Sequence, residues 1–249
     1  MQMEKSVSRC SVIIDGRVIA ESELRDHELD RARVALALFK RLLGSERITA
    51  LLAAQCEHTE LLMLRELAAS RGRWVTSKTE VNVEGCSAEE FLKWFHERIL
   101  AKDDDNILSS HPEHYVIIAA DNGQTEVVET MGHFGLPTRI KVVLGIDPTE
   151  ACPEPADIDP AYPIQAAGYS LFSDGTKGPR VLHQFVNTES GFRGKLAIYF
   201  PTETDPRQVE GHKWHLALEF KNWIENYFKY AGSEIRSDDA SPRIDPDAH

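Results

Sequence analysis

The 249-residue sequence contains few cysteines, with four thiols at positions 10, 56, 86 and 152. No two of them form a CxxC pair, and their spacing is neither that of a zinc finger nor that of a small disulfide-bonded scaffold. The sequence also lacks a secretory signal and an apolar run of about 20 residues, the length that a membrane-spanning helix needs. We therefore expect free thiols in a soluble cytoplasmic protein.

Basic residues are also scarce, because 28 Lys and Arg stand against 40 Asp and Glu, for a net charge of −12 at pH 7. The sequence contains no run of Lys or Arg that would form a basic patch. A chain of this charge is unsuited to polyanions, so we expect no nucleic-acid partner and no anionic membrane as main partner. With 42% apolar residues, the chain is long enough for one large domain, or for a domain with a helical appendage.

Residues 1–73 are predicted to form a hairpin followed by two helices. The segment "SVIIDGRVIA" has two β-branched runs joined by Asp15-Gly16, a pair typical of a type I′ turn. The helices are expected from about Ser22 to Gly44 and from Ser45 to Gly72. Their wide apolar faces must pack on each other, on the rest of the chain or on a second subunit. We interpret this part as a lid or a dimerisation arm, through which a homodimer is predicted.

Residues 74–231 have the pattern of an α+β domain. A strand and a helix with a Ser87–Glu90 capping box precede six strand candidates, which turn residues separate as in an antiparallel meander. One long helix follows, from about Pro206 to Tyr230. We expect a curved sheet that grips this helix around a cavity for an apolar ligand. The proline-rich loop of residues 148–163 is long enough to be a lid.

The last 18 residues, 232–249, are polar and contain proline, so a disordered tail is predicted there.

The segment "GHKWHLALEF" raises the question of a metal site. On a helical wheel, one narrow stripe carries His212, His215, Glu219, Asn222 and Asn226. Large apolar residues flank this stripe, so His215 and Glu219 are predicted to point into the cavity. A buried carboxylate beside a buried imidazole is costly unless it is hydrogen-bonded, ion-paired or bound to a metal. The alternative is an exposed i,i+4 contact worth about 0.2–0.5 kcal/mol.

Further donors lie elsewhere in the sequence, at His96, His111, His114 and Glu129. The alternation of "TEVVETM" places Glu129 on the same strand face as Val127, which indicates that it too points inward. Two imidazoles and two carboxylates form a set of nitrogen and oxygen ligands that suits zinc and leaves room for a water. The residues alone leave the identity of the second imidazole open.

Five segments together resemble a known family. In order along residues 75–230, they are "TEVNVEGCSAEEFLKWFHE", "HPEHY", "VVETMG", "RVLHQFVNTESGF" and "HLALEFKNWIENYF". Their order is similar to that of the 2,4-diacetylphloroglucinol hydrolase and phloretin hydrolase family. The resemblance implies a Bet v 1-like helix-grip domain with a bound zinc ion. It also implies hydrolysis of the carbon–carbon bond between an acyl group and a phenolic ring, a retro-Claisen reaction.

The resemblance also implies roles for individual residues. The implied zinc ligands are His96, Glu129, His215 and Glu219, with His111 or His114 as alternatives to His96. The reaction needs a proton donor to the ring carbon and donors to the ring hydroxyls. The candidates for these catalytic roles are His183, His114 and Tyr169. Residues expected to line the pocket of a small aromatic or polyketide substrate are Trp94, Phe134 and Trp223.

Two other functions stay open at this point. The first is a metal-free helix-grip binding protein or polyketide cyclase, in which His and Glu only shuttle protons. The second is an interaction protein that acts through the helices of residues 22–72.

Overall fold

The computed structural model describes residues 10–120, 123–132 and 136–239, with side chains as far as Gly232. The chain divides into two compact units, Met1–Gly44 and Ser45–His249. No helix in the described part of the chain has both the length and the apolar character needed to cross a membrane.

The smaller unit contains the predicted hairpin. Strands β1 (Val12–Ile14) and β2 (Arg17–Ile19) pair antiparallel across Asp15 and Gly16, whose φ angles are 50° and 78°. Two positive φ angles in a two-residue loop are those of a type I′ turn. Helix α1 (Glu21–Ser70) follows, and its backbone is non-helical at Gly44, with φ 72° and ψ 159°. The predicted break between two helices therefore lies within one long α1.

The larger unit contains a seven-stranded antiparallel sheet. Six strands follow one another as the predicted meander, and the first strand pairs with the last, in the order β3-β9-β8-β7-β6-β5-β4. The strands are β3 (Trp74–Glu84), β4 (His114–Ala119), β5 (Thr125–Thr130), β6 (Pro137–Leu144), β7 (Ile164–Leu171), β8 (Lys177–Asn187) and β9 (Gly191–Pro201).

Four further α-helices lie among the described residues of this unit. They are α2 (Ala88–Leu100), the single turns α3 (Asp104–Ile107) and α4 (Pro148–Ala151), and the long α5 (Pro206–Asp239). The predicted capping box begins α2, because the Ser87 hydroxyl accepts from the Glu90 amide and the Glu90 carboxylate accepts from the Ser87 amide.

Helix α5 runs nine residues beyond its predicted end at Tyr230, because no proline interrupts the sequence before Pro242. Residues 240–249 of the predicted disordered tail lie outside the described residues.

Helix α5 covers one face of the sheet, which we call the inner face. The Thr79 hydroxyl donates to the Lys213 carbonyl over 2.8 Å, and the rings of Phe200 and His212 lie 5.1 Å apart. Thr79 pairs with Leu196 and Leu196 with His183, so alternate residues of each strand share this face. The same register places Glu129 there. A sheet that grips a long C-terminal helix is the α+β helix-grip fold, and that prediction is confirmed.

The opposite, outer face of the sheet is covered by the second part of α1. Ile48 and Cys56 pack with Val116 and Val128 in one apolar cluster. Residues 45–70 therefore belong to the larger unit, and the boundary between the units lies at residue 44 rather than at residue 73. The sequence shows the apolar face of α1 but not the strands that it covers.

The loop of residues 148–163 also lies on the outer face. Asp157 pairs with Lys78 at 2.7 Å, and Asp159 pairs with Lys195 at 2.6 Å. Lys78 and Lys195 are the neighbours of inner-face residues along their strands, so their side chains lie on the other side. The loop is therefore not a lid over the inner face.

Candidate metal centre

Four side chains from three elements converge beneath α5. His114 begins β4 and stands opposite Glu129 of β5 in the strand register. His215 and Glu219 lie one turn apart on α5. The imidazole side chains are 1% exposed and the carboxylate side chains 12% and 11% exposed. The inward orientation predicted for Glu129, His215 and Glu219 thus agrees with the structure.

The donor atoms of these residues are separated by the edge length of a metal tetrahedron. Nε2 of His114 lies 3.1 Å from His215 Nε2, 3.2 Å from Glu219 Oε2 and 3.4 Å from Glu129 Oε2. Nε2 of His215 lies 3.5 Å from Glu129 Oε2 and 3.6 Å from Glu219 Oε2. Tetrahedral zinc with bonds of about 2.1 Å requires donor atoms about 3.4 Å apart. All five distances are close to that value.

Hydrogen bonding alone accounts poorly for this arrangement. An imidazole nitrogen carries at most one proton, which can point at one acceptor, yet Nε2 of His114 faces three donor or acceptor atoms. A cation at the centre of the group would interact with all four atoms at once. A second grouping overlaps with this one, since ring nitrogens of His111, His114 and His215 lie within 4.8 Å of one another and could hold a metal ion. We consider the set with the carboxylates the better ligand set, because its five distances match coordination. In contrast, Nδ1 of His111 accepts from the Glu113 amide over 3.1 Å, which leaves the proton of that ring on Nε2.

Ser110 fixes the tautomer of His114. The Ser110 hydroxyl donates to the carbonyl of Ile107 over 2.8 Å, so its oxygen must accept from Nδ1 of His114, 3.3 Å away. Nδ1 therefore carries a proton. Without a metal ion, Nε2 can carry a second proton and donate to Glu219, and with a metal ion it would present its lone pair to the ion. Metal-binding histidines use their second nitrogen in this way.

Helix α5 also holds the segment that precedes His114. Three of its side chains donate hydrogen bonds to backbone carbonyls of that segment: Asn222 to Ser110 (2.7 Å), Trp223 to Ile107 (3.1 Å) and Asn226 to Asn106 (3.0 Å). The Trp223 ring stacks against the His114 ring, with centroids 5.6 Å apart. Trp223, predicted to line the substrate pocket, therefore supports a candidate ligand in the structure. Asn222 and Asn226, which shared the helical stripe of His215, now have a role in positioning His114.

The cluster keeps its carboxylates ionised. Burial disfavours the charge on Glu219, but hydrogen bonds to His114 and His215 outweigh burial and hold the pKa of this carboxyl far below its ordinary value. The same balance lowers the pKa of Glu129. Burial also lowers the pKa of His215, but the two carboxylates outweigh it and raise that pKa to about 10. The two buried carboxylates thus keep the His215 ring protonated. A divalent cation would replace that proton as the positive charge between them.

Two more histidines lie near this group. Burial lowers the pKa of His183 to about 4 and that of His212 to about 3, so both rings are neutral at pH 7. Nδ1 of His183 accepts from the Ala197 amide over 3.3 Å, which leaves the proton on Nε2. The His212 ring lies parallel to that of His215 with centroids 5.4 Å apart. Of the catalytic candidates, His183 and His114 are therefore at the site.

The structure does not bring His96 or Tyr169 to the cluster. His96 is exposed on α2, two residues and thus about 200° around the helix from the buried Trp94. Tyr169 stands opposite Arg180 on the outer face, and the Lys177 ammonium lies 4.4 Å from the centre of its ring.

The other two residues predicted to line the pocket lie elsewhere. Trp94 packs among aromatic side chains, with its ring 5.8 Å from that of Tyr227 and 6.4 Å from that of Tyr230. Phe134 lies outside the described residues.

One signal in the sequence could have favoured His114 over His96. Hairpin strands pair at equal distances from their turn. His114 and Glu129 lie at nearly equal distances along the sequence from the predicted turn at Asp121-Asn122-Gly123. They are opposite each other in the structure, after an irregularity in the register between His114 and Val116.

Comparisons with known proteins add a weak likeness of fold. No family model matches the chain, and no curated protein matches it. Among solved structures it is similar to the crystal structure of Ara h 8.0201, at 14% identity and a TM-score of 0.38, over 65% of this chain and 99% of that one. It is also similar to SA2116, a Staphylococcus aureus protein of unknown function, at 12% identity and a TM-score of 0.38, over 66% of this chain and 97% of that one. The helix-grip fold therefore rests on the observed sheet and α5.

Proposed function

We propose that this protein is a zinc-dependent hydrolase that cleaves the carbon–carbon bond between an acyl group and a phenolic or polyketide ring. The observation that carries the proposal is the meeting of His114, Glu129, His215 and Glu219 at tetrahedral spacing beneath α5. The reaction itself is taken from the family that residues 75–230 resemble.

The proposed ligands are His114 Nε2, Glu129 Oε2, His215 Nε2 and Glu219 Oε2. Two nitrogen and two oxygen donors suit zinc better than calcium or magnesium, which prefer sets made only of oxygen. When bound, zinc supplies a Lewis acid and lowers the pKa of water towards about 7, which makes a hydroxide nucleophile available at neutral pH.

The charge of the inner face indicates an uncharged substrate. The strand register places Lys78, Arg139, Lys141, Arg180 and Lys195 on the outer face, and it places no Lys or Arg among the described residues of the inner face. Two carboxylates balance one divalent ion, so the centre has no spare positive charge for an anion. A ketone on a phenolic ring suits such a site, whereas a phosphate, a carboxylate or a coenzyme A ester does not.

His183 is the proposed hydrogen-bond donor to a ring hydroxyl of the substrate. Hydrolysis adds the hydroxyl group of water to the acyl carbon and a proton to the ring carbon, while the bond between these two carbons breaks. The neutral ring of His183 holds its proton on Nε2 and lies on the inner face, near enough to Glu219 for this carboxylate to raise its pKa against the larger effect of burial. It is therefore suited to donate a hydrogen bond to a ring hydroxyl. The proton that reaches the ring carbon comes from the hydrolytic water, because a neutral imidazole is too weak an acid to supply it.

Metal analysis and activity test this proposal together. Purified protein should contain about one zinc per chain and should release a carboxylic acid from an acylphloroglucinol. His215→Ala should lose both properties, whereas the matched variant His96→Ala, at an exposed position, should keep them. A protein with no stoichiometric zinc, or with activity that a strong chelator leaves unchanged, would contradict the proposal and favour a metal-free binding protein or cyclase.

A further inference from the structure

Helix α5 and the turn that follows β5 approach each other so closely at two glycines that no side chain fits between them. A Cβ atom built on Gly211 would lie 2.2 Å from the Gly132 carbonyl oxygen and 2.7 Å from its carbon. A Cβ atom built on Gly132 would lie 2.3 Å from the carbonyl oxygen of Gln208. All of these atoms belong to backbone, which cannot rotate away as a flexible side chain would.

Gly211 has no conformational reason to be glycine. It lies inside α5, and its φ is not positive, unlike the φ of 76° at Gly132. A glycine inside a helix costs about 1 kcal/mol relative to alanine. The close approach to Gly132 is the feature of the structure that accounts for this residue.

The contact lies next to the candidate metal ligands. Gly132 follows Glu129 by three residues, and Gly211 precedes His215 by four residues, which is about one helical turn. The contact therefore fixes the separation of the two elements that carry Glu129, His215 and Glu219. We propose that Gly132 and Gly211 are positioning residues that hold β5 and α5 at the distance at which these three donors reach one metal ion.

The inference rests on the proposed metal centre. The close contact gives the size of the loss in zinc affinity that we expect. To relieve a contact of 2.2 Å, a methyl group at position 211 must move the backbone by roughly 1 Å, whereas metal–ligand distances tolerate only about 0.2 Å. Changes in the groups that orient ligands typically weaken metal binding about 10–100-fold. We expect a loss of that size from Gly211→Ala.

The test compares two alanine variants of α5. Gly211→Ala meets Gly132, whereas at Gly232, in the same helix, a Cβ atom meets nothing within 4 Å. Zinc affinity is measured by competition with a chromophoric chelator, and ligand geometry by the visible absorption of the cobalt(II)-loaded protein. Gly211→Ala should fold, bind zinc about 10–100-fold more weakly and show an altered cobalt spectrum. Gly232→Ala should match the original protein in both measurements.

Each other outcome has a distinct meaning. If Gly211→Ala binds zinc and cobalt like the original protein, the positioning role is wrong while the metal centre stands. If the original protein itself binds no zinc, the metal centre fails and the positioning role fails with it. Gly132→Ala is a second variant that tests the same contact from the other side, because its Cβ atom would meet the Gln208 carbonyl rather than Gly132. If both Gly211→Ala and Gly132→Ala fail to fold, the contact serves folding in general and the inference is overturned.

Discussion

Replacement of His114 by alanine separates the candidate ligand set that the structure brings together from the set implied by family resemblance. His114 supplies one of four donor atoms, whereas His96 is exposed on α2. Four-ligand zinc sites bind with about 10–16 kcal/mol, so each ligand contributes about 2.5–4 kcal/mol if they share the energy equally. Since about 1.4 kcal/mol corresponds to a factor of ten, His114→Ala should weaken zinc binding by about 100- to 1,000-fold.

The assay is a zinc titration in competition with a chromophoric chelator, applied to the original protein, His114→Ala and His96→Ala. Circular dichroism and thermal unfolding of the metal-free proteins show whether each variant is folded. Loss of the His114 ring also removes the stacking with Trp223, so some loss of stability is expected in that variant. His96→Ala should bind zinc as the original protein does.

The opposite pattern would refute this reasoning. If His96→Ala loses zinc while a folded His114→Ala retains it, then His114 is not a ligand and the observed geometry does not describe the occupied site. Equal losses in both variants would also contradict it, because an exposed His96 cannot share an ion with buried donors.

Three further predictions concern protonation, substrate charge and assembly. The folded-state pKa of His183, about 4, lies below its ordinary value of 6.5. Between these two pKa values the unfolded chain binds a proton at His183 and the folded chain does not, so the folded state loses stability as the pH falls. Urea unfolding should therefore show a stability loss between pH 7 and pH 5 that is larger by roughly 1–2 kcal/mol in the original protein than in His183→Gln, and equal losses would contradict burial of a neutral ring. An acylphloroglucinol with an added carboxylate should have a kcat/KM at least about tenfold lower than its neutral parent, and a preference for the anion would contradict the uncharged inner face. Leu38 and Leu42 are 45% and 67% exposed in the smaller unit, and exposed apolar side chains of this kind suit a contact between two chains. Light scattering should therefore give a mass about twice 28.0 kDa, and glutamate at both positions should reduce it to that of one chain. A monomeric original protein would contradict the predicted homodimer.

Much of the fold and three of the four candidate ligands follow from periodicity in the sequence. Alternation along β5 placed Glu129 inward, and the 3.6-residue period of α5 placed His215 and Glu219 inward. Both patterns work because these elements are regular where the ligands occur. His114 could not be found in this way, because the register shifts between His114 and Val116 and breaks the alternation of β4.

Two site residues that were not predicted from a periodic pattern, Tyr169 and His96, lie away from the cluster. Tyr169 is on the outer face because it alternates with the inner-face residues Ala166 and Gly168. Which alternate residues of β7 face inward is known only once the pairing of β7 with β8 is known. His96 follows Trp94 on α2, and the wheel of that helix alone would have placed it away from the core. The contact between Gly132 and Gly211 has no sequence signature, because it depends on how α5 crosses the sheet.

The most direct test is a crystal structure of the zinc-loaded protein with anomalous diffraction measured at the zinc edge. We predict one anomalous peak per chain about 2.1 Å from His114 Nε2, His215 Nε2 and one oxygen each of Glu129 and Glu219. A peak bound by other residues, or no peak among these four side chains in a crystal grown with zinc, would contradict the account.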